Sequence, residues 1–410
     1  MQQSDHSAPE LPSASPRDWG LDPTRLRIIR DALQREIDAG RLPGSVIAIA
    51  RRGRLLHLDA IGQRDPATGA AITTDSIFAI ASMTKPMTSV AILGLAEEGR
   101  IALGDPVSRY IPELANLRVV TSLDPTKLET RPPARIPTIQ DLLRHSSGFT
   151  YRDNGTSAAH KKYPPSSIGG PIKLTKAETI AALAESPLLF DPGTNWTYGY
   201  STDVLGFVVE AVTGKALGDV LQDRIWSPLA MTDTTFALTD AQRLRYARPH
   251  AKDVDTGITN APLMHDIARD MKWHAGGGGA VSTVMDYIRF AEMLRRGGTL
   301  GSVRILGPNT VAHMTSDHLP NHIEDRIADT MDPAASGYGF GLGVAVRRSN
   351  GVSAIPGTKG DYYWSGVYGT YFWIDPIREL SVVHMAITPG PARLRYRQLI
   401  RQLVYQAMTE

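Results

Sequence analysis

The sequence of 410 residues contains no cysteine. A thiol nucleophile, a disulfide framework and a thiolate metal site are therefore excluded. The chain also lacks a His-Glu-x-x-His segment or any similar spacing of ligating side chains. Such spacings are the usual sequence sign of a metal centre, so we expect no metal ion and no cofactor.

Long apolar runs are missing as well, and none approaches the ~20 residues that a membrane-spanning helix requires. There is no excess of charge of one sign, since 44 Lys and Arg face 42 Asp and Glu and are scattered along the chain. Phosphate neutralisation needs clustered cations, so nucleic acid is an unsuitable partner. Residues 1–17 are polar, without the basic and apolar segments of a signal peptide. We therefore predict a soluble, cytoplasmic protein that binds neither nucleic acid nor a membrane.

Apolar periodicity predicts sheet-forming segments at both ends of the chain and helices between them. Helical spacing marks residues 21–39, which stop at Gly40, and residues 84–98. Runs rich in β-branched and aromatic residues predict strands. The predicted strands are residues 45–51, 55–61, 338–346, 362–364, 370–374 and 380–386, and a last helix covers 392–408.

This pattern sets the expected domain boundaries. Residues 1–17 are expected to form a disordered lead-in. Residues 18–104 and 294–410 would form one discontinuous α/β lobe, and residues 105–293 a mainly helical lobe inserted into it. We expect the active site in the cleft between the two lobes. The long Pro- and Gly-rich loops expected at its rim are residues 123–137 and 153–172.

The chain has one Ser-x-x-Lys segment, from Ser82 to Lys85, at a predicted helix start where residues three apart share a face. A serine hydroxyl is a weak nucleophile unless a base takes its proton, and a lysine can be that base when its ammonium form is disfavoured. A helix N-terminus and burial in a cleft both disfavour that form. An isolated match, however, is more often a helix cap followed by a solvated lysine.

Two further segments suit this chemistry. Residues 192–201 form a predicted loop that holds Tyr198, and a phenol near a cation can share its proton in a Ser, Lys, Tyr network. Residues 362–369 join a predicted strand to small residues, where a substrate would lie against the sheet edge. The backbone N–H of Val367 could pair there with that of Ser82 as an oxyanion hole. Without the first motif, the two segments would be an aromatic contact between lobes and a glycine-containing core strand.

Six segments occur together in a recognisable order. They are Ser-x-x-Lys at 82–85, Leu-Leu-x-His-x-Ser-Gly at 142–148, Pro-Gly-x-x-Trp-x-Tyr at 192–198, Ser-Thr-Asp-Val-Leu-Gly at 201–206, a glycine-rich turn at 277–283 and Trp-x-Gly-Val-Tyr-Gly-Thr at 364–370. In that order they resemble the family VIII carboxylesterases, relatives of class C β-lactamases and D-Ala-D-Ala peptidases. The resemblance covers nearly the whole chain. It implies the β-lactamase or transpeptidase-like fold, an antiparallel sheet flanked by helices with an inserted, mainly helical lobe.

The resemblance also implies roles for individual residues. Ser82 would be the acylated nucleophile and Lys85 its general base. Tyr198 would relay a proton and assist deacylation by water. Tyr198 is preferred to Tyr200 because aligning residues 203–206 with the family puts Tyr198 at the catalytic position.

Two departures from the related lactamases and peptidases bear on the substrate. Tyr200 falls where they usually carry asparagine, and Trp364, Ser365 and Gly366 stand where they have Lys-Thr-Gly, whose lysine helps to hold a substrate carboxylate. We expect these four residues to contact the substrate, and an aromatic wall in place of a cation to favour an uncharged ester. His145 is assigned a structural role, because no Gly-x-Ser-x-Gly elbow accompanies it.

The resemblance implies a carboxylesterase that acts on a small-molecule ester with a short acyl chain by ping-pong acyl transfer, with acyltransferase or weak β-lactamase side activity. A β-lactamase, D-amino-acid peptidase or amidase is the first alternative. The second is a penicillin-sensor-like binding protein without turnover, although such a protein would be expected to lack a catalytic side chain, and all three are present. The sequence leaves the oligomeric state open.

Overall fold

The computed structural model describes residues 11–323, 327–328 and 331–410. Its strands are β1 (Gly44–Arg51), β2 (Arg54–Asp65), β3 (Ala70–Ala71), β4 (Phe78–Ala79), β5 (Val119–Val120), β6 (Thr130–Arg131), β7 (Val281–Ser282), β8 (Thr299–Leu300), β9 (Val303–Arg304), β10 (Tyr338–Phe340), β11 (Ala345–Arg347), β12 (Tyr362–Ser365), β13 (Tyr371–Asp375) and β14 (Leu380–Ala386). Within the described ranges, eight strands form one antiparallel sheet in the order β10-β11-β12-β13-β14-β1-β2-β3. The pair β14 and β1 therefore joins the two ends of the chain inside the sheet.

The helices lie mainly between β4 and β8. The α-helices are α1 (Pro23–Asp38), α2 (Thr84–Glu97), α3 (Ile139–Leu143), α4 (Ala158–Lys162), α5 (Gly170–Lys173), α6 (Lys176–Glu185), α7 (Ser201–Thr213), α8 (Leu217–Leu221), α9 (Asp240–Arg243), α10 (Met264–Ile267), α11 (Val284–Arg295), α12 (Pro308–Met314) and α13 (Ala392–Gln406). Short 3-10 helices cover Arg17–Trp19, Ala81–Met83, Val107–Arg109, Pro112–Asn116, Arg152–Asn154 and Pro333–Ala335, and a π-helical turn covers Gln222–Trp226. Of the helices described, none has both the length and the apolar character needed to cross a membrane.

The core is built around the centre of the sheet. Every residue of β1 and β14 is buried. Because successive side chains of a strand point to opposite faces, both faces of the sheet are covered there. Helix α1 packs against α13 and β2, and α11 packs against β14, β1 and β13.

The expected boundary at residues 293/294 falls inside α11 and assigns most of this helix to the helical lobe. The aromatic side chains of α11, however, contact the sheet. Tyr287 and Phe290 are both buried, and the Tyr287 ring lies 5.1 Å from that of Phe372 on β13. The helix therefore covers the sheet and belongs with it.

Part of the expected lead-in is also ordered. Residues 1–10 of that segment lie outside the described residues. Beyond them, the N–H of Leu55 donates to the carbonyl of Pro12, and the N–H of Ala14 donates to the carbonyl of Leu55, each at 3.0 Å. Strand β3 pairs only with the far end of β2, so these bonds satisfy backbone groups at an otherwise open edge.

The single strand predicted at 338–346 is two strands. They are β10 and β11, which form a hairpin with Tyr338 opposite Arg347. At the turn between them Gly343 has a φ of 102°, which a glycine adopts without the steric cost of a side chain. Apolar alternation continues across this turn, so the pattern alone did not indicate the break.

Candidate active site

Ser82 lies in the 3-10 turn Ala81–Met83, directly before α2. The residue before it, Ala81, has a φ of +43°, a left-handed conformation that costs a non-glycine residue free energy and often marks a functional turn. Thr84 holds this turn closed. Its hydroxyl donates to the Ala81 carbonyl at 2.7 Å and accepts the N–H of Ala280 at 3.1 Å.

Lys85 follows one turn later, and its side chain is 1% exposed. Its Nζ lies 3.4 Å from Ser82 Oγ and 3.4 Å from the Tyr151 hydroxyl, and donates to the carbonyl of Gly277 at 2.5 Å. The sequence spacing thus brings Ser82 and Lys85 together as predicted. The contacts of Lys85 with Tyr151 and with the Gly277 carbonyl were not predicted.

Two tyrosines flank the Lys85 ammonium. Its Nζ lies 4.5 Å from the ring centroid of Tyr198, close enough for the ring face to stabilise a cation. The Tyr198 hydroxyl is buried and has no hydrogen-bond partner among the described residues. A buried phenol without a partner is unusual, and Tyr198 lines the same cavity as Ser82.

Asp203 closes a ring of hydrogen bonds around Lys85. Its carboxylate is fully buried and accepts the Ser167 hydroxyl at 2.7 Å and the Gly277 N–H at 2.9 Å. The Tyr151 hydroxyl donates to the Asp203 carboxylate at 3.4 Å and also contacts the Ser167 hydroxyl. The backbone of Gly277 therefore makes two hydrogen bonds: its carbonyl accepts from Lys85 Nζ, and its N–H donates to the Asp203 carboxylate.

This ring explains the glycine at position 277. A Cβ there would lie 2.5 Å from an oxygen of Asp203, so a side chain would displace the carboxylate. Burial raises the pKa of the Asp203 carboxyl, while the charge of Lys85 acts in the opposite direction. The charge of Lys85 thus offsets part of the desolvation cost of the Asp203 carboxylate.

The proposed oxyanion pair comes from distant parts of the chain. Val367 lies in the turn between β12 and β13 and lines the same cavity as Ser82. The neighbouring Gly366 packs closely against Ile80. A Cβ on residue 366 would lie only 2.5 Å from the Ile80 carbonyl oxygen. The Thr370 hydroxyl donates to that carbonyl at 3.2 Å. These contacts fix the turn beside the segment that holds Ser82.

The cavity has a volume of about 800 Å³. Its described lining comprises Ala81, Ser82, Leu123, Tyr151, Asp153, Asn154, His160, Ser166, Ser167, Ile168, Leu189, Thr197, Tyr198, Gly277, Gly278, Met331, Ser365, Val367, Arg393 and Arg397. Both expected rim loops contribute residues to this lining. Helices α4 and α5 interrupt the loop expected at residues 153–172. Of the four residues expected to contact substrate, Ser365 lines the cavity, whereas Trp364, Gly366 and Tyr200 lie behind its wall.

Trp364 and Tyr200 are both part of the aromatic packing. Trp364 is 2% exposed, and its ring lies 5.4 Å from that of Tyr198. The Tyr200 hydroxyl donates to the carbonyl of Pro165, and burial raises the pKa of this phenol. Trp364 thus packs against Tyr198, and Tyr200 ties its own part of the chain to Pro165.

His145 is also enclosed. Its ring lies 4.8 Å from that of Tyr198, and burial, with a contribution from the charge of Lys85, holds its pKa well below the usual value. Neither ring nitrogen has a partner among the described residues. A neutral, fully packed imidazole agrees with the structural role expected from the sequence.

Sequence reasoning missed Tyr151, Ser167 and Asp203. The sequence holds a weak signal for two of them. Tyr151 follows the Leu-Leu-x-His-x-Ser-Gly segment by three residues, and Asp203 is a single acid in the apolar run that opens α7. In the described residues, no group of three or more His, Asp or Glu side chains is placed to hold a metal ion.

Comparisons with known proteins identify the family and the fold. A family model described as Beta-lactamase matches residues 29–406. The chain is 35% identical over 353 residues to Protein Rv1367c of Mycobacterium tuberculosis, covering 85% of this chain and 86% of that protein. It is 28% identical over 411 residues to Esterase EstB of Burkholderia gladioli, covering 93% and 98%.

Among solved structures, "EstCE1, a hydrolase with promiscuous acyltransferase activity" superposes with a TM-score of 0.78. Its sequence identity is 27%, and the match covers 93% of this chain and 99% of that one. These matches confirm the fold and the resemblance to family VIII esterases that the motifs predict.

Proposed function

This chain belongs to the β-lactamase family, and we propose that it is a carboxylesterase that hydrolyses short-chain acyl esters through an acyl-enzyme on Ser82. The observation that carries the proposal is the distance of 3.4 Å between Lys85 Nζ and Ser82 Oγ at the wall of the cavity. A base this close to a hydroxyl can take its proton when a substrate draws the groups together. The esterase and hydrolase among the relatives support the ester class.

Acylation begins when Lys85, in its neutral amine form, takes the proton of Ser82 and the freed oxygen attacks the ester carbonyl. The carbonyl oxygen becomes negatively charged and accepts the N–H groups of Ser82 and Val367. Tyr198 then passes its proton to the departing alcohol and regains one from Lys85, and the acyl group stays on Ser82. A water molecule gives a proton to the Lys85 and Tyr198 network and attacks the acyl-enzyme, and the network returns that proton to Ser82 Oγ as the acid leaves. An alcohol in place of that water yields a new ester by acyl transfer.

Tyr151 has a different role from Tyr198. Burial, followed by the charge of Asp203, raises the pKa of the Tyr151 phenol well above its usual value. The group is therefore neutral throughout the working range of pH and acts as a donor. We assign it to positioning Lys85, together with Asp203 and Ser167.

The strand beside the nucleophile favours esters over β-lactams. The related lactamases hold a substrate carboxylate with a lysine at the position of Trp364, and here β12 (Tyr362–Ser365) contains no cation to present to the cavity. An anionic β-lactam would therefore lose that partner.

The test is a burst and steady-state assay of the purified protein with p-nitrophenyl acetate, in parallel with nitrocefin. We expect repeated turnover of the ester, with nitrocefin slow or silent. Nitrocefin as the better substrate would assign the chain to the lactamases instead. One equivalent of p-nitrophenol without further turnover would indicate a binding protein of the sensor type.

The two tyrosines give a second prediction. Tyr198→Phe should lower kcat by about 10²-fold or more, because it removes the proton donor to the leaving group. Tyr151→Phe should lower kcat by only about tenfold, because Gly277 still holds the Lys85 ammonium. Both variants keep the ring, so their thermal unfolding should remain close to wild type. Steady-state kinetics compare them, and the reverse order would exchange the two roles.

The cytoplasmic location and the short acyl chain stay predictions of the sequence. Partition of the acyl-enzyme between water and an added alcohol, measured on the same ester, would give the acyltransferase share of the activity.

A further inference from the structure

The two proposed oxyanion donors belong to two peptide units, one between Ala81 and Ser82 and the other between Gly366 and Val367. Neither the N–H of Ser82 nor that of Val367 has a hydrogen-bond acceptor among the described residues. The carbonyl of each peptide, in contrast, accepts more than one donor. Because the carbonyl and the N–H of one peptide are conjugated, a group that binds the oxygen also acts on the donor.

The carbonyl of the first peptide is held by Thr84. The Thr84 hydroxyl donates to the Ala81 carbonyl at 2.7 Å, and the Thr84 N–H donates to it as well. The same hydroxyl accepts the N–H of Ala280 at 3.1 Å, so its own proton is directed to Ala81. A run of hydrogen bonds therefore leads from Ala280 through Thr84 to the peptide of Ser82. Successive bonds in such a run polarise one another.

The carbonyl of the second peptide is held by Arg397 of α13. Arg397 Nη2 donates to the Gly366 carbonyl at 2.8 Å, and the Gly369 N–H donates to it at 3.1 Å. Arg397 is 6% exposed, and burial, followed by the charge of Arg393, lowers its pKa to about 10. The guanidinium is therefore a cation at neutral pH. A charged donor makes a shorter and stronger hydrogen bond than a neutral one.

Such bonds matter most in the transition state. A donor on the carbonyl oxygen draws electrons from the peptide nitrogen, which makes the N–H of that peptide a stronger donor. The carbonyl oxygen of an ester gains negative charge only as Ser82 attacks, so a stronger N–H stabilises the transition state more than the bound ester. The same bonds hold the peptides in place, so the donors need no reorganisation when the charge develops.

We propose that Thr84 and Arg397 are positioning residues that orient and polarise the two oxyanion peptides. This rests on the proposed esterase function and deepens it. Arg397 lines the cavity, but the role proposed for it is exerted through the carbonyl of Gly366 and needs no contact with the ester. Thr84 acts in the same way through the carbonyl of Ala81.

Steady-state kinetics with p-nitrophenyl acetate test this role in turnover. Thr84→Val and Arg397→Gln should each lower kcat by about tenfold and leave KM within about twofold of wild type. The loss is smaller than the roughly 10²-fold or more that follows removal of an oxyanion donor, because both N–H groups remain and only their strength falls. Thr84→Ser keeps the hydroxyl and should stay close to wild type. Arg397→Lys keeps the charge and should recover part of the loss.

Two matched controls make the same chemical changes elsewhere. The Thr179 hydroxyl donates to the Thr175 carbonyl at 2.9 Å at the start of α6, and Arg395 on α13 pairs with Glu36 at 2.8 Å. Thr179→Val and Arg395→Gln should therefore keep the wild-type kcat. An equal loss of kcat in these controls would attribute the effect to a general loss of packing and would overturn the positioning role.

An amide chemical shift tests the polarisation without turnover. Glycine labelled with ¹³C at its carbonyl and valine labelled with ¹⁵N select Gly-Val pairs, which occur at 343–344, 351–352 and 366–367. A hydrogen bond to a peptide oxygen deshields the nitrogen of the same peptide. Arg397→Gln should therefore move the ¹⁵N resonance of Val367 to lower frequency, while those of Val344 and Val352 stay in place. Arg397→Lys should move it less.

An unmoved Val367 resonance in Arg397→Gln would overturn the proposal, as would an unchanged kcat in both Thr84→Val and Arg397→Gln. If the wild type forms no acyl-enzyme and hydrolyses no ester, the proposed function fails, and the Val367 resonance alone then decides whether Arg397 polarises the peptide. If Arg397→Gln does not fold, Thr84→Val carries the kinetic test and Arg397→Lys carries the measurement of the Val367 shift.

Discussion

Replacing Ser82 with alanine should lower kcat/KM for p-nitrophenyl acetate by about 10⁴-fold or more, because no acyl-enzyme can form and only binding and the oxyanion N–H groups remain. The change removes one oxygen from a half-buried position and leaves the left-handed turn at Ala81 in place. Thermal stability should stay close to wild type. Intact-mass spectrometry after rapid quenching should show an acetyl adduct on the wild type and none on the variant.

The chain offers a matched control in the helix that follows Ser82. Ser89 is fully buried in α2, and its hydroxyl has no hydrogen-bond partner among the described residues. Ser89→Ala should therefore retain activity and keep or slightly raise the free energy of unfolding. Ester turnover at an undiminished rate in Ser82→Ala would exclude Ser82 as the nucleophile.

The second large effect is expected at the base. Lys85→Met should reduce kcat by about 10³-fold, because no other basic side chain among the described residues lies within hydrogen-bond distance of Ser82 Oγ. Methionine fills a similar volume without a charge. Asp203 then loses its counter-charge, but its raised pKa lets it take up a proton and remain buried. The fold should survive, as near-ultraviolet circular dichroism would report.

Lys176→Met is the control for loss of a lysine. Its ammonium pairs with Glu210 at 2.6 Å, outside the cavity lining, and the side chain is 39% exposed. Activity should be retained there. Were Lys85→Met to form the acyl-enzyme at the wild-type rate, the proton of Ser82 would have another acceptor and the assignment of Lys85 would be wrong.

The sequence predicted best what local spacing determines. The separation of three residues between Ser82 and Lys85 guarantees one helix face, and the structure places the two groups in contact. Strands β1 and β14 were predicted to within one residue because they are short apolar runs bounded by turns. The fold followed from the order of the motifs along the chain.

Contacts across the fold were not predictable in this way. Tyr151, Ser167 and Asp203 meet at Lys85 from three separate segments, and nothing in their local spacing indicates a common site. Trp364 lies within one of the six family segments, and Tyr200 lies between two of them. Whether such an aromatic ring faces the cavity or the core depends on its neighbours. Such orientations are set by packing, which a linear pattern does not contain.

The pairing of β1 with β14, in which Ser45 stands opposite Ala386, has a consequence for biosynthesis. A ribosome that adds about 5–20 residues per second releases the nucleophile long before the last strand. Until β14 emerges, β1 has an open edge, and Ser82 has no Val367 beside it. The nascent chain therefore contains Ser82 before Val367 and the complete sheet exist, so the proposed activity depends on strands that are synthesised after the helical region.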